Sequence, residues 1–307
     1  MNQVVFFSPS GALIDETLLD KATLHLRALG FQTREMPEAR LREQRFAGND
    51  DRRMQSIQHA CAITEPSVLM ATRGGYGLSR LLDQLDFNAI AQSLQSNRHL
   101  LCGHSDITGL QLALLAAGAP PHTLMHGPMA CFDFGVEDQP DSVTVQHFKR
   151  AVQWGEVSIQ WQAEDFGAAH TPVALEGPVW GGNLTLLCSL LGTPWMPKVK
   201  QGVLILEDVN EPVYKIERML LQLLHAGVLG SQQAVVLGNF AQPQPNAHDN
   251  GYNLGAAALY LQSKLDIPVI TGFPFGHCTP KSLWFQGLNG ELNCLSDGRC
   301  HLIQVAR

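Results

Sequence analysis

The run Leu100-Leu101-Cys102-Gly103-His104-Ser105-Asp106-Ile107 passes from an apolar strand, through one glycine, straight into a helix that ends near Gly118. A short apolar run that turns at once into a helical pattern is a βα unit. The same signature occurs twice more in the first third. Val4 to Phe7 reads as a strand closed by Ser8-Pro9-Ser10-Gly11, and a helix follows from Asp15 to Leu29, with Leu18, Leu19, Ala22, Leu26 and Leu29 on one face. Gly30 is its stop. Ser67 to Thr72 is the next strand, with the loop Arg73-Gly74-Gly75-Tyr76-Gly77 and a helix expected on Leu78, Leu81, Leu82 and Leu85. Strands that alternate with helices pair in parallel and place their βα turns together at the carboxyl edge of the sheet. Open α/β sheets hold their sites at that edge.

Between about Phe134 and Pro172 the pattern weakens into a polar connecting region with room for one helix. Near Gly177 a second α/β segment begins. Val203 to Leu206 is a buried strand, and Glu211 to Ala226 a helix with Ile216, Met219, Leu220 and Leu223 as its core stripe. Ala234 to Leu237 and Pro268 to Ile270 are further strands. Beyond Leu283 the reading turns to β, with Asn289-Gly290 and Asp297-Gly298 as hairpin turns. Two α/β domains follow, an N-terminal one over 1–150 and a C-terminal one over 177–307, joined by a linker over 151–176.

Composition narrows the function classes. A chain of 307 residues, 45% hydrophobic and 16% charged, has the balance of a globular protein with a sizeable core. No apolar run approaches the roughly 18–20 residues that span a bilayer, and Met1-Asn2-Gln3 opens no signal peptide, so a cytoplasmic protein without membrane contact is expected. The formal net charge of −7 argues against nucleic acid. Seven scattered cysteines, without any CxxC pair, predict neither a disulfide framework nor a zinc knuckle, only small buried hydrophobes. His122 and His126 share a metal-ligand spacing, but the flanking prolines place them in loop and no HExxH accompanies them. No metal and no cofactor are expected.

Several residues can carry chemistry. Ser105 stands at the strand-to-helix bend, where a nucleophile is exposed beside helix N-terminal amides, that of Asp106 among them. The second glycine of the usual hydrolase elbow is replaced by Ile107, and the alternative for Ser105 is a helix cap. His277, on the loop Gly272-Phe273-Pro274-Phe275-Gly276-His277, suits either a general base or a structural histidine. Glu207 and Asp208 end a strand, where a carboxylate either orients an imidazole or complements a helix N-terminus. Gly74 and Gly75 read as a second oxyanion donor or as a tight turn, and Arg73 as a clamp for a substrate carboxylate or as a solvated or internally paired arginine. The order Ser, Glu, His, each at a strand end, also occurs in α/β-hydrolases.

Taken in order along the chain, these segments resemble the bacterial LD-carboxypeptidases, serine peptidases of the S66 group. The resemblance rests on Ser8-Pro9-Ser10-Gly11, Phe46-Ala47-Gly48-Asn49-Asp50, Arg73-Gly74-Gly75-Tyr76-Gly77 and Gly103-His104-Ser105-Asp106. Further on come His126-Gly127-Pro128-Met129, Trp180-Gly181-Gly182-Asn183-Leu184, Leu206-Glu207-Asp208-Val209-Asn210-Glu211 and Gly276-His277. It implies a Rossmann-like N-terminal domain and a smaller, β-rich C-terminal α/β domain, with Ser105 as nucleophile, His277 as base and Glu207 as its orienting carboxylate. It also implies an oxyanion hole near Gly75 and Asp106, and a homodimer. The implied substrate is the murein tetrapeptide, alone or as its sugar or nucleotide conjugate, cut after L-diaminopimelate to release D-alanine in peptidoglycan recycling. Two alternatives stand beside it: cleavage of a peptidyl-nucleotide antibiotic by a member of the same group, and a non-catalytic muropeptide-binding module. The resemblance does not extend to Cys278-Thr279-Pro280, after His277.

Overall fold

Runs of fully buried apolar residues set the strands of the first half, seen in a computed structural model that describes residues 1–165, 172–241 and 247–306. In chain order the elements are β1 (Gln3–Phe7), α1 (Thr17–Ala28), β2 (Gln32–Glu35), α2 (Asp50–Cys61), β3 (Ser67–Ala71), α3 (Phe87–Ser96), β4 (Leu100–Gly103), α4 (Ile107–Ala116) and β5 (Leu124–His126). These five strands lie in the order β5-β4-β3-β1-β2, all parallel. Because they are parallel, the turns after β1, β3, β4 and β5 gather at one edge.

The rest comprises α5 (Ser142–Trp154), β6 (Glu156–Gln162), β7 (Val173–Asn183), α6 (Leu184–Ser189), β8 (Val203–Val209), α7 (Val213–His225), β9 (Ala234–Ala241), α8 (Leu254–Gln262), β10 (Val269–Ile270), β11 (Trp284–Phe285), β12 (Asn289–Cys294) and β13 (Arg299–Val305). The second sheet runs β10-β9-β8-β7-β12-β13-β6. It is parallel from β10 to β7 and antiparallel from β7 to β6. The 11-residue β7 joins the two kinds of pairing, its first half against β12 and its second half against β8. The protein is thus α/β throughout, with a parallel N-terminal sheet and a β-rich C-terminal part.

Five sequence expectations change. Leu78, Leu81, Leu82 and Leu85 are all buried, but they sit on a 3-10 turn (Leu78–Arg80) and following turns, not on an α-helix. The helix is delayed to α3, where Asp86 accepts from the Ala89 amide as N-cap. His126 stands in β5 rather than in loop, because its backbone pairs with β4 and β11. Asn289 and Gly290 open β12; the turn falls two residues earlier, at Gly287, with φ 77°. The stretch expected as connection and linker carries α5 and β6, the latter hydrogen-bonded to β13, and residues 166–171 lie outside the described residues. Cys294 and Cys300, opposite one another on β12 and β13, form a disulfide. Spacing concealed the pair because register across a hairpin, not a CxxC pattern, brings them together. The Asp297-Gly298 turn between them is as expected, with Gly298 at φ 83°.

The two sheets are not independent. β11 lies late in the chain yet pairs antiparallel with β5 in the first sheet. One core cluster runs from Val4 and Phe6 through Phe148 and Trp284 to Leu302. Among the described residues no helix is long and apolar enough to cross a membrane.

Candidate active site

Ser105 is held in a conformation that ordinary residues avoid. Its φ is 62°, between Gly103 at φ 157° and the start of α4. Such strain in a non-glycine residue persists only where the surroundings fix it. The surroundings here are tight. A Cβ on Gly103 would lie 3.0 Å from Ile107 and 3.2 Å from Ala71, and one on Gly74 would lie 2.6 Å from both Cβ and Oγ of Ser105. Gly74 is therefore glycine because of close approach to Ser105. Among the described residues Ser105 Oγ makes no hydrogen bond, and the N–H groups of Gly75 and Asp106 have no acceptor.

Asp106 braces the bend with its side chain, a role the sequence left open. Its Oδ2 accepts from the Ser10 hydroxyl and from the Leu78 amide at 2.9 Å, joining the loops after β1 and β3 to the start of α4. Burial raises its carboxyl above the usual range, with those hydrogen bonds opposing. Arg53, fully buried on α2, does a parallel task by donating to Pro9 O at 3.1 Å and Gly77 O at 2.8 Å. Arg53 went unread in the sequence; its signal was an arginine on the same face as Ile57 and Ala60.

Glu207 and His277 meet. His277 Nδ1 lies 3.0 Å from Glu207 Oε2, and the carboxylate is fully buried. A carboxylate only accepts, so Nδ1 donates to it, and Nε2 is the ring nitrogen left for proton exchange. Local structure explains how the strand delivers the acid. The register of β8 against β9 shifts between Leu206 and Asp208, and such an irregularity re-aims side chains out of strict alternation. Both Glu207 and Asp208 are consequently buried. Asn183, opposite Glu207 in β7, caps α6 by accepting from Leu186 N at 3.1 Å. Its amide donates to Asp208 Oδ1 at 2.9 Å and Glu207 Oε1 at 3.3 Å. Asp208 also accepts from the amide and hydroxyl of Thr185, so it anchors the start of α6 and faces no open space.

Beneath His277 lies a buried polar cluster that the sequence did not reveal. Lys281 is 1% exposed; its Nζ donates to the Gly276 carbonyl, stands 3.3 Å from His104 Nε2 and 3.6 Å from Asp133 Oδ1, and sits over the ring of Phe132 at 4.7 Å. The ammonium can only donate, so His104 accepts at Nε2 and donates from Nδ1 to the Gly127 carbonyl at 3.0 Å. Burial, then the charges of Lys281 and His277, hold His104 well below its ordinary value. Burial raises Asp133 to about 6, against the pull of Lys281. The His104 ring stands edge-on to His277 at 5.2 Å. The residue before Ser105 thus touches the residue expected as base, which brings the two sheet edges together here. The stretch after His277 contains a cis Thr279–Pro280 bond.

Arg73 forms no internal salt bridge among the described residues; it is half-buried, and its Nη1 donates to Ala12 O at 2.9 Å. His126 is fully buried against Trp284, with Nδ1 on Gln111. Among the described residues no group of three or more His, Cys, Asp or Glu side chains is arranged to hold a metal.

Known proteins share this architecture. The crystal structure of muramoyltetrapeptide carboxypeptidase from Oxalobacter formigenes superposes with a TM-score of 0.90 at 37% identity, over 99% of both chains. The murein tetrapeptide carboxypeptidase of Pseudomonas aeruginosa is 29% identical over 94% of this chain and 92% of its own length. The microcin C7 self-immunity protein MccF, at 21% identity and a TM-score of 0.84, shares the fold. The profile of the LD-carboxypeptidase N-terminal domain matches residues 4–124 and that of the C-terminal domain residues 176–292. With both profiles in sequence order over most of its length, the chain belongs to the LD-carboxypeptidase family.

Proposed function

We propose that this protein is a serine-type carboxypeptidase that releases the terminal D-alanine from murein tetrapeptides by cutting the L-diaminopimelyl-D-alanine bond. The observation that carries the reading is the strained Ser105 at its bend, with a glycine pressed on its Oγ and a carboxylate-bound imidazole at the facing sheet edge. The P. aeruginosa and O. formigenes relatives, named for murein and muramoyl tetrapeptides, point to the substrate.

In this mechanism His277 Nε2 takes the Ser105 proton as Oγ attacks the scissile carbonyl, and Glu207 stabilises the imidazolium. The free N–H groups of Gly75 and Asp106 receive the oxyanion, each good donor contributing roughly 3–4 kcal/mol. His277 then protonates the departing amine, D-alanine leaves, and a water deprotonated by His277 releases the tripeptide from Ser105. A homodimer, acceptance of sugar or nucleotide conjugates and a cytoplasmic recycling role belong to the same proposal.

The test is release of D-alanine from tetrapeptide, followed by mass spectrometry. The natural enzyme is expected to act on the D-terminated peptide and to leave an L-alanine-terminated one intact. Ser105→Ala is expected to lose turnover by about 10³-fold or more. Unchanged release in that variant overturns the assignment of the nucleophile.

A further inference from the structure

Beside the Ser105 bend lies a cavity of about 390 Å³, walled by Gly11, Ile14, Arg42, Arg45, Arg73 and Tyr76, with Gly75 at its inner side. Three arginines line it, and among the described residues none of them is paired with a carboxylate. Arg45 lies over the ring of Tyr76 at 5.7 Å, and among the described residues Arg73 spends one of its five donors, on Ala12 O. The wall is firmly built. Gly11 N donates to Gly74 O at 3.1 Å and Ala12 N to Arg45 O at 3.0 Å, which locks the loops after β1, β2 and β3 together. Burial lowers the Arg73 guanidinium from its ordinary value, and the nearby Arg45 charge adds to this. Like charges gathered without an acid gain most from an anionic ligand.

Reach sets which ligand. A Cβ added to Gly74 would lie 2.6 Å from Ser105 Oγ, and Gly75 is one peptide further, about 3.8 Å. The cavity therefore opens within about 8 Å of the reacting oxygen, a distance spanned by one or two residues of a bound peptide. We propose that this three-arginine cavity is the anion subsite of the peptidase and takes a carboxylate of the substrate peptide. Two carboxylate sources fit, the C-terminal carboxylate of the leaving residue and a side carboxylate on the acyl side of the cut bond. The Arg fork is suited to either, by paired N–H donors. The inference rests on the proposed reaction for its choice of ligand, but its test does not need turnover.

Binding is read by calorimetry in the Ser105→Ala protein, with and without Arg42→Gln and Arg45→Gln. The ligands are the free-acid tetrapeptide, its C-terminal amide, and the tetrapeptide amidated on its acyl-side carboxylates. The two Arg→Gln changes are expected to weaken the free acid roughly tenfold or more. One amide should bind just as weakly and be indifferent to the substitutions, which names the carboxylate. Both arginines are exposed, so the fold should survive; the single variants repeat the measurement if the double one does not melt cooperatively. Equal affinity of both proteins for the free acid, the same loss with every amide, or no binding of any peptide overturns the subsite. Failure of D-alanine release by the natural enzyme, with these binding differences intact, instead overturns the reaction.

Discussion

Gly74 shows how much one missing carbon decides. Its backbone is not left-handed, and what excludes a side chain is the 2.6 Å separation between an added Cβ and Ser105 Oγ. Gly74→Ala must push the loop or the serine aside, and overpacking of this kind costs about 1–3 kcal/mol. Because the displaced atom is the proposed nucleophile, activity should fall far more than stability, by roughly 100-fold in kcat. Thermal melting alongside D-alanine release measures both; a variant of normal kcat would show that the loop does not set the position of Ser105. At this scale the sequence marked Ser105, His277 and Glu207 by their strand-end positions. It did not mark Arg53, Lys281 or Asp133, because nothing local distinguishes a buried charge from a solvated one.

At the scale of elements, the second sheet delivers its acid through two features of neighbouring strands. The shift in β8 turns Glu207 and Asp208 inward, and Asn183 at the end of β7 ties both to the start of α6. Asn183 and Asn253 are both N-caps, the latter accepting from Ala256 N at 3.0 Å at the head of α8. Replacement of either by alanine should cost about 1 kcal/mol of stability. Only Asn183→Ala should also slow the reaction, since it alone holds Glu207. Chemical denaturation and kcat on both variants decide this, and equal activity in the two would remove Asn183 from the positioning of the acid. Leu78 to Leu85 form turns and not the helix that their spacing predicts. Helical spacing of leucines records burial on one side, and a chain of turns packed on a core produces the same spacing.

Across the whole molecule β11 and a shared core link the two sheets. Its interior also keeps two histidines neutral at their junction. Burial, then the charges of Lys281 and His277, lowers His126 from 6.5 to about 3, and His104 is lowered likewise. In that window the unfolded chain binds protons that the folded one refuses, so stability is complete above about 6.5 and is lost as pH falls. Each histidine contributes a slope of up to about 1.4 kcal/mol per pH unit. Urea unfolding at neutral and mildly acid pH should show His126→Asn less stable than the natural chain at neutral pH but less sensitive to acid. An unchanged slope would mean that His126 is not the group being protonated.

The sequence by itself determined the βα repeat, the parallel first sheet, the β-rich end and the three strand-end residues, because period, turn chemistry and chain order are local properties. Tertiary structure alone decided the rest. The Cys294–Cys300 pair depends on hairpin register, and the transfer of Trp284 and Phe285 to the first sheet depends on which edge was free. The hydrogen bond from His277 to Glu207 and the gathering of Arg73 with Arg42 and Arg45 around one cavity join residues tens of positions apart. Such contacts are chosen by which strand-end loops each sheet sets side by side, and no short window of sequence spans them.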